Sequence, residues 1–134
     1  MGSGEGLDTS LLLRFITGKP EELAGKALLV FRGAEERRFL LRVHPLVVAE
    51  AFYTLVSFYK AKKGEAAETL LALLDRPGVE VLEGDAVFPA LREAGRGGLS
   101  LVDAFLLFRC GERDEGVATL DARLRKRVGE GIIP

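Results

Sequence analysis

Four carboxylates stand where chemistry is plausible. Asp8 lies in Gly6-Leu7-Asp8-Thr9-Ser10-Leu11-Leu12-Leu13, between a short leader and a leucine run. Glu50 is the only charge between His44 and Lys60. Asp103 is the only charge between Arg96 and Arg109, in Leu99-Ser100-Leu101-Val102-Asp103-Ala104-Phe105. Asp121 lies in Val117-Ala118-Thr119-Leu120-Asp121-Ala122-Arg123-Leu124. Singly, each has an ordinary reading. Asp8 and Asp121 suit helix N-caps. Ser100 with Asp103 resembles a capping box. Glu50 marks the wet stripe of its helix. Together they suggest more. Carboxylates gathered at one place repel one another, and a hard divalent cation relieves that repulsion. Oxygen ligands suit Mg²⁺ or Mn²⁺, with phosphate oxygens as further ligands and a bound water as attacking group.

The elements that position these acids follow from periodicity and from proline and glycine stops. Helices are expected over 11–17, 20–37, 46–62, 65–74, 86–94, 101–110 and 122–128, and strands over 39–43, 79–82 and 116–120, with a short edge strand at Ile132-Ile133. Helices alternating with apolar strands predict an α/β/α three-layer sandwich around a central, mostly parallel sheet. In such sheets ligands bind outside the carboxyl ends of the strands. Asp8 and Asp121 are each expected to follow a strand, so all four acids are expected to meet at that edge.

The chain has 134 residues, enough for one domain with one core, and residues 1–134 are read as that single domain. Residues 1–6 are glycine-rich and are expected to be disordered or a non-native leader. Cys110 is the only cysteine and His44 the only histidine, which excludes an intrachain disulfide and thiolate or Cys/His zinc sites. The expected compartment is the cytoplasm. No apolar run is long enough to span a membrane, so no membrane partner is expected. Net charge is −1, so bulk electrostatics do not announce a nucleic-acid partner. Cations cluster locally, at Lys60, Lys62 and Lys63 and at Arg123, Arg125, Lys126 and Arg127. Either cluster is a solvated face or a phosphate track.

The sequences Leu7-Asp8-Thr9-Ser10-Leu11-Leu12, Val48-Ala49-Glu50, Leu99-Ser100-Leu101-Val102-Asp103-Ala104 and Thr119-Leu120-Asp121-Ala122-Arg123-Leu124, in this order, resemble the PIN domain family, in particular VapC-type toxin ribonucleases. The resemblance implies a Mg²⁺- or Mn²⁺-dependent endoribonuclease whose catalytic and metal-binding quartet is Asp8, Glu50, Asp103 and Asp121. Thr9 or Ser10 would support the metal shell, and Arg14, Arg109 and Arg123 are candidates to contact RNA. It also implies a homodimer and an antitoxin protein covering the site. Two features depart from the family pattern: the stretch before Asp8 is glycine-rich, and Asp121 is followed by Ala122-Arg123 rather than a second acid. The alternatives are a catalytically inactive PIN-fold interaction module and a housekeeping RNA-processing nuclease. A phosphoacceptor domain would want paired acids near the N-terminus and a late lysine, and neither is visible.

Overall fold

Three short parallel strands carry the architecture, in the order β1 (Gly4–Gly6), β2 (Leu40–Val43) and β3 (Val79–Val81). The computed structural model describes residues 4–113 and 115–128. Gly4 pairs with Leu40 and Gly6 with Arg42, while Leu41 pairs with Val79 and Val43 with Val81. Residues 4–6, expected as a disordered leader, are thus an edge strand. Their pairing is backbone bonding alone, and it continues into Leu7, whose N–H donates to the Arg42 carbonyl at 2.9 Å. Strand β2 alternates. Leu41 and Val43 enter the core, and Arg42 on the opposite face pairs with Glu80 of β3 at 2.9 Å.

Seven helices complete the described residues: α1 (Thr9–Thr17), α2 (Glu21–Glu35), α3 (Pro45–Ser57), α4 (Lys63–Leu74), α5 (Gly84–Gly95), α6 (Leu101–Glu112) and α7 (Ala122–Val128). The result is a PIN-like α/β sandwich that is mostly helical, with one core running through Leu12, Phe31, Leu41, Val48, Leu70, Leu91 and Leu124. Proline and acids set several starts. Pro45 occupies the first turn of α3, and Glu21 and Glu22 lie at the positive end of α2.

Some boundaries differ from expectation for local reasons. Helix α2 stops at Glu35 rather than Arg37, because Arg37 turns left-handed (φ 63°) and the Arg37 and Arg38 amides close on Ala34 and Gly33. Helix α3 stops at Ser57 rather than Lys62. The Tyr59 and Ala61 amides reach back to Thr54 and Leu55, and Lys60 is left-handed. The expected strand at 116–120 is not a strand. Val117 is buried, but the Asp121 amide donates to Thr119 Oγ1 at 2.9 Å, a local turn that diverts an amide from any ladder. Asp121 therefore follows an irregular segment. Ile132 and Ile133 lie outside the described residues.

Candidate active site

Helices α1 and α3 follow adjacent parallel strands, so both begin at the carboxyl edge of the sheet. Asp8 stands at that edge, just past β1. It is the N-cap of α1: its Oδ1 accepts the Leu11 amide at 2.9 Å and the Ser10 hydroxyl at 3.0 Å. The cap of α1 is thus made by Asp8 and not by Thr9 or Ser10. Asp8 does the capping, and Ser10 holds the Asp8 carboxylate in place. Thr9 is the first residue of α1.

Glu50 projects from the second turn of α3 and is exposed. One turn further on, the Tyr53 hydroxyl accepts the Val102 amide at 3.3 Å, which joins α3 to the first turn of α6. Asp103 is the next residue in that turn. Ser100 caps α6 by accepting the Asp103 amide at 3.2 Å, so the Asp103 carboxylate is not needed for the cap. Neither the Glu50 nor the Asp103 carboxylate has a side-chain partner among the described residues. Asp121 caps α7 through Oδ1, which accepts the Leu124 amide at 2.9 Å.

The segment before α6 is held by a residue that the sequence reading missed. Glu93, on α5, is the one buried charged residue among those described, its side chain 8% exposed. Its carboxylate receives the Leu99 amide at 3.3 Å, Arg127 at 2.8 Å and Arg96 at 3.3 Å. A signal was present: Ala86, Ala90, Glu93 and Ala94 fall at i, i+4, i+7 and i+8, the spacing of a buried stripe. The neighbouring Arg92 and Arg96 disguised it as a wet face.

The arginine candidates take definite places. Arg14 Nη1 donates to the Lys19 carbonyl at 3.4 Å, past the end of α1. Arg123 donates to the Gly97 carbonyl at 3.4 Å, across from α7 to the loop before α6. Arg109, 14% exposed, is engaged by three acids. It forms a two-point pair with Asp85 at 2.7 and 3.1 Å, and meets Glu112 at 3.0 Å and Glu83 at 3.0 Å. Those pairs tie the start of α5 to the last turn of α6. Arg109 pushes the Asp85 carboxyl down to about 2, while the adjacent Asp85 raises Glu112 above its ordinary value. His44 precedes α3 and makes no side-chain cap.

The Arg127 guanidinium, helped by the Leu99 amide, holds the Glu93 carboxyl below its ordinary 4.5 against the opposing effect of burial. An acid whose pKa falls on folding adds stability above its unfolded value and loses it as pH drops through its folded value. Stability is therefore expected to hold above 4.5 and to decline below it, with Asp85 adding its own loss between 3.8 and about 2. Glu93→Gln is expected to remove the upper part of that decline. Thermal melts from roughly pH 3 to 6 check this, and an unchanged profile in the variant would count against it.

A groove of about 120 Å³ runs between α3, α5 and α6, lined by Pro45, Leu46, Ala49, Leu101, Val102 and Phe105 among others. Its rim is apolar yet solvent-facing, with Leu46 84% and Val102 55% exposed.

The donor chemistry of the four acids suits a hard cation. Their placement does not make a closed cage: among the described residues no three His, Cys, Asp or Glu side chains come together as a metal-holding group. The fit is to an open site, in which one or two carboxylates act with water and substrate phosphate oxygens.

Fold and donor set together define a small parallel α/β domain with Asp8 at the carboxyl edge of its sheet and Glu50 on the helix that follows the next strand. The chain belongs to the PIN domain family, whose model matches residues 7–130. PIN domains are generally nucleases, typically metal-dependent hydrolases, and PIN nucleases act on RNA. Neither a curated protein nor a solved structure matches the chain significantly. No helix of the described residues is long and apolar enough to cross a membrane.

Proposed function

We propose that this chain is a Mg²⁺- or Mn²⁺-dependent endoribonuclease of the VapC type, the cytoplasmic toxin of a type II toxin–antitoxin pair. The observation that carries the reading is the contrast within the quartet. Asp8 and Asp121 are fixed as caps at the starts of their helices, while Glu50 and Asp103 keep carboxylates without side-chain partners beside the Tyr53–Val102 junction. Carboxylates from the quartet Asp8, Glu50, Asp103 and Asp121 would hold the cation together with water and phosphate oxygens, and the cation when bound supplies Lewis-acid activation of water and neutralises charge on the phosphate. The chain's own residues do the positioning. Ser10 orients Asp8, the Ser100 cap sets the first turn of α6, and the Leu124 amide fixes Asp121. Arg14 and Arg123 are the cations near helix ends that remain to steer a phosphate backbone. The exposed Leu46 and Val102 support a protein partner over the groove, an antitoxin or a second copy in a homodimer.

That no three acids come together as a metal-holding group among the described residues favours a second reading, an inactive interaction module. Incubation with mixed structured RNAs, with Mn²⁺ or Mg²⁺ or with chelator, separates the two. Discrete metal-dependent fragments support the nuclease, and no fragments together with no Mn²⁺ binding by calorimetry support the module.

Asp8→Asn is expected to abolish cleavage with the melting temperature nearly unchanged, since asparagine caps a helix about as well as aspartate. Cleavage at the parental rate would remove Asp8 from the site.

A further inference from the structure

We propose that Glu93 is a positioning residue, a polar joint that sets Asp103 and Asp121 relative to each other; this rests on the nuclease reading of those two acids.

Asp103 lies on α6 and Asp121 caps α7, and nothing in the sheet connects them. Strand pairing places Asp8, and β2 leads directly into the helix that carries Glu50. No described strand precedes Asp121. Another device must hold it, and Glu93 has the geometry to do so. Its Oε2 takes the Leu99 amide, one residue before the Ser100 cap, and the same oxygen takes Arg127 from α7. One oxygen atom therefore receives a donor from each side.

Two further contacts close the arrangement. Arg123, one turn before Arg127 on α7, donates to the Gly97 carbonyl of the same loop. Arg96 completes the carboxylate through Oε1. Helix α7 has seven residues, too few to persist without docking. Its buried Leu124 and these two arginines supply the docking, and Asp121 travels with it.

Gly98 shows how closely the loop is fitted. A Cβ at Gly98 would collide with the Glu93 carboxylate. The loop approaches the acid to hydrogen-bond distance only because residue 98 has no side chain. Burial raises the stakes for the carboxylate and the Leu99 amide, since removing either leaves the other unsatisfied away from water.

Glu93→Gln and Gly98→Ala test the joint from its two sides. The first keeps an acceptor but removes the charge, and the second leaves Glu93 intact and displaces the loop. Both are to be read by single-substrate RNA kinetics and by amide hydrogen exchange. Each variant is expected to lower kcat by about 10–100-fold, the size of effect typical of residues that orient ligands from behind. KM is expected to stay within about twofold, because the substrate's own contacts are not removed. Exchange is expected to quicken by a larger factor over residues 97–103 and 121–128 than over α1. Parental kcat with parental exchange in both variants would overturn the proposal. So would uniform loosening that includes α1, which would mark Glu93 as a general stability residue. If the parent and Asp103→Asn cleave no RNA alike, the nuclease reading fails, and the exchange pattern alone decides the joint: paired loosening of the two segments upholds it, and loosening of only one overturns it.

Discussion

Asp103→Asn is expected to reduce metal-dependent RNA cleavage by about 10²–10³-fold, the effect of removing one preorganised charge-stabilising group from a reaction centre. The substitution is nearly isosteric, and it leaves the start of α6 intact, because the cap is Ser100 accepting the residue 103 amide rather than the carboxylate. The Tyr53 hydroxyl contact to Val102 is likewise a backbone contact and survives. Loss of activity with a native melting curve would therefore report on the carboxylate's charge. Initial rates on a fragment-yielding RNA at saturating Mn²⁺ measure it, with Ser100→Ala as the contrasting variant. Ser100→Ala is expected to cost about 1 kcal/mol of stability through the lost cap. Asp103→Asn with parental rates would refute the quartet.

Gly78→Ala is expected to be the most damaging single-atom change to the fold. Gly78 leads into β3 with φ 83°, and its carbonyl accepts the Leu41 amide of β2 at 2.8 Å. An added Cβ would run into the Ala34 carbonyl at the end of α2. Two costs combine: about 1–3 kcal/mol for a left-handed non-glycine residue, and about 1–3 kcal/mol for overpacking against backbone that has no rotamer to yield. A total of about 2–6 kcal/mol would shift the urea midpoint by about 1 M or more. Gly25, in α2, is the control. A Cβ there meets nothing, so Gly25→Ala is expected to stabilise by about 0.5–1 kcal/mol. Equal midpoints for the two variants would refute the account.

Much of this was legible in the chain before folding, because the signals were local. Proline, glycine and apolar spacing located all seven helices, and β-branched or leucine-rich runs located β2 and β3. The misses share a cause, which is competition by tertiary or turn contacts. Gly116–Leu120 alternates like a strand, yet Thr119 Oγ1 takes an amide that a ladder would have used. Gly4-Glu5-Gly6 has no strand propensity, yet it pairs because β2 offers it a backbone. The four acids proposed for the site stood out in the sequence as candidates. Their local duties divided unevenly: Asp8 and Asp121 are true caps, and Asp103 is spared by Ser100. Glu93 escaped notice because its burial depends on Arg127, thirty-four residues away in sequence. A charge reads as wet until its distant partner is known.

The sheet has a consequence for the order of assembly. Gly4 meets Leu40 and Leu41 meets Val79, so every strand pairing closes a loop of nearly forty residues. The helical contacts α1 with α2, α4 with α5 and α5 with α6 join neighbours along the chain. Contacts between near neighbours form at small entropic cost, whereas long closures are favourable only after their ends have met. The carboxyl edge belongs to the second kind. The chain can possess its helices, the Asp8 cap of α1 and its Arg109 clamp while the edge that sets Asp8 beside the start of α3 does not yet exist. On the proposed nuclease reading, activity would belong to the completed topology alone, and a nascent or partly opened chain would retain most of its helices without it.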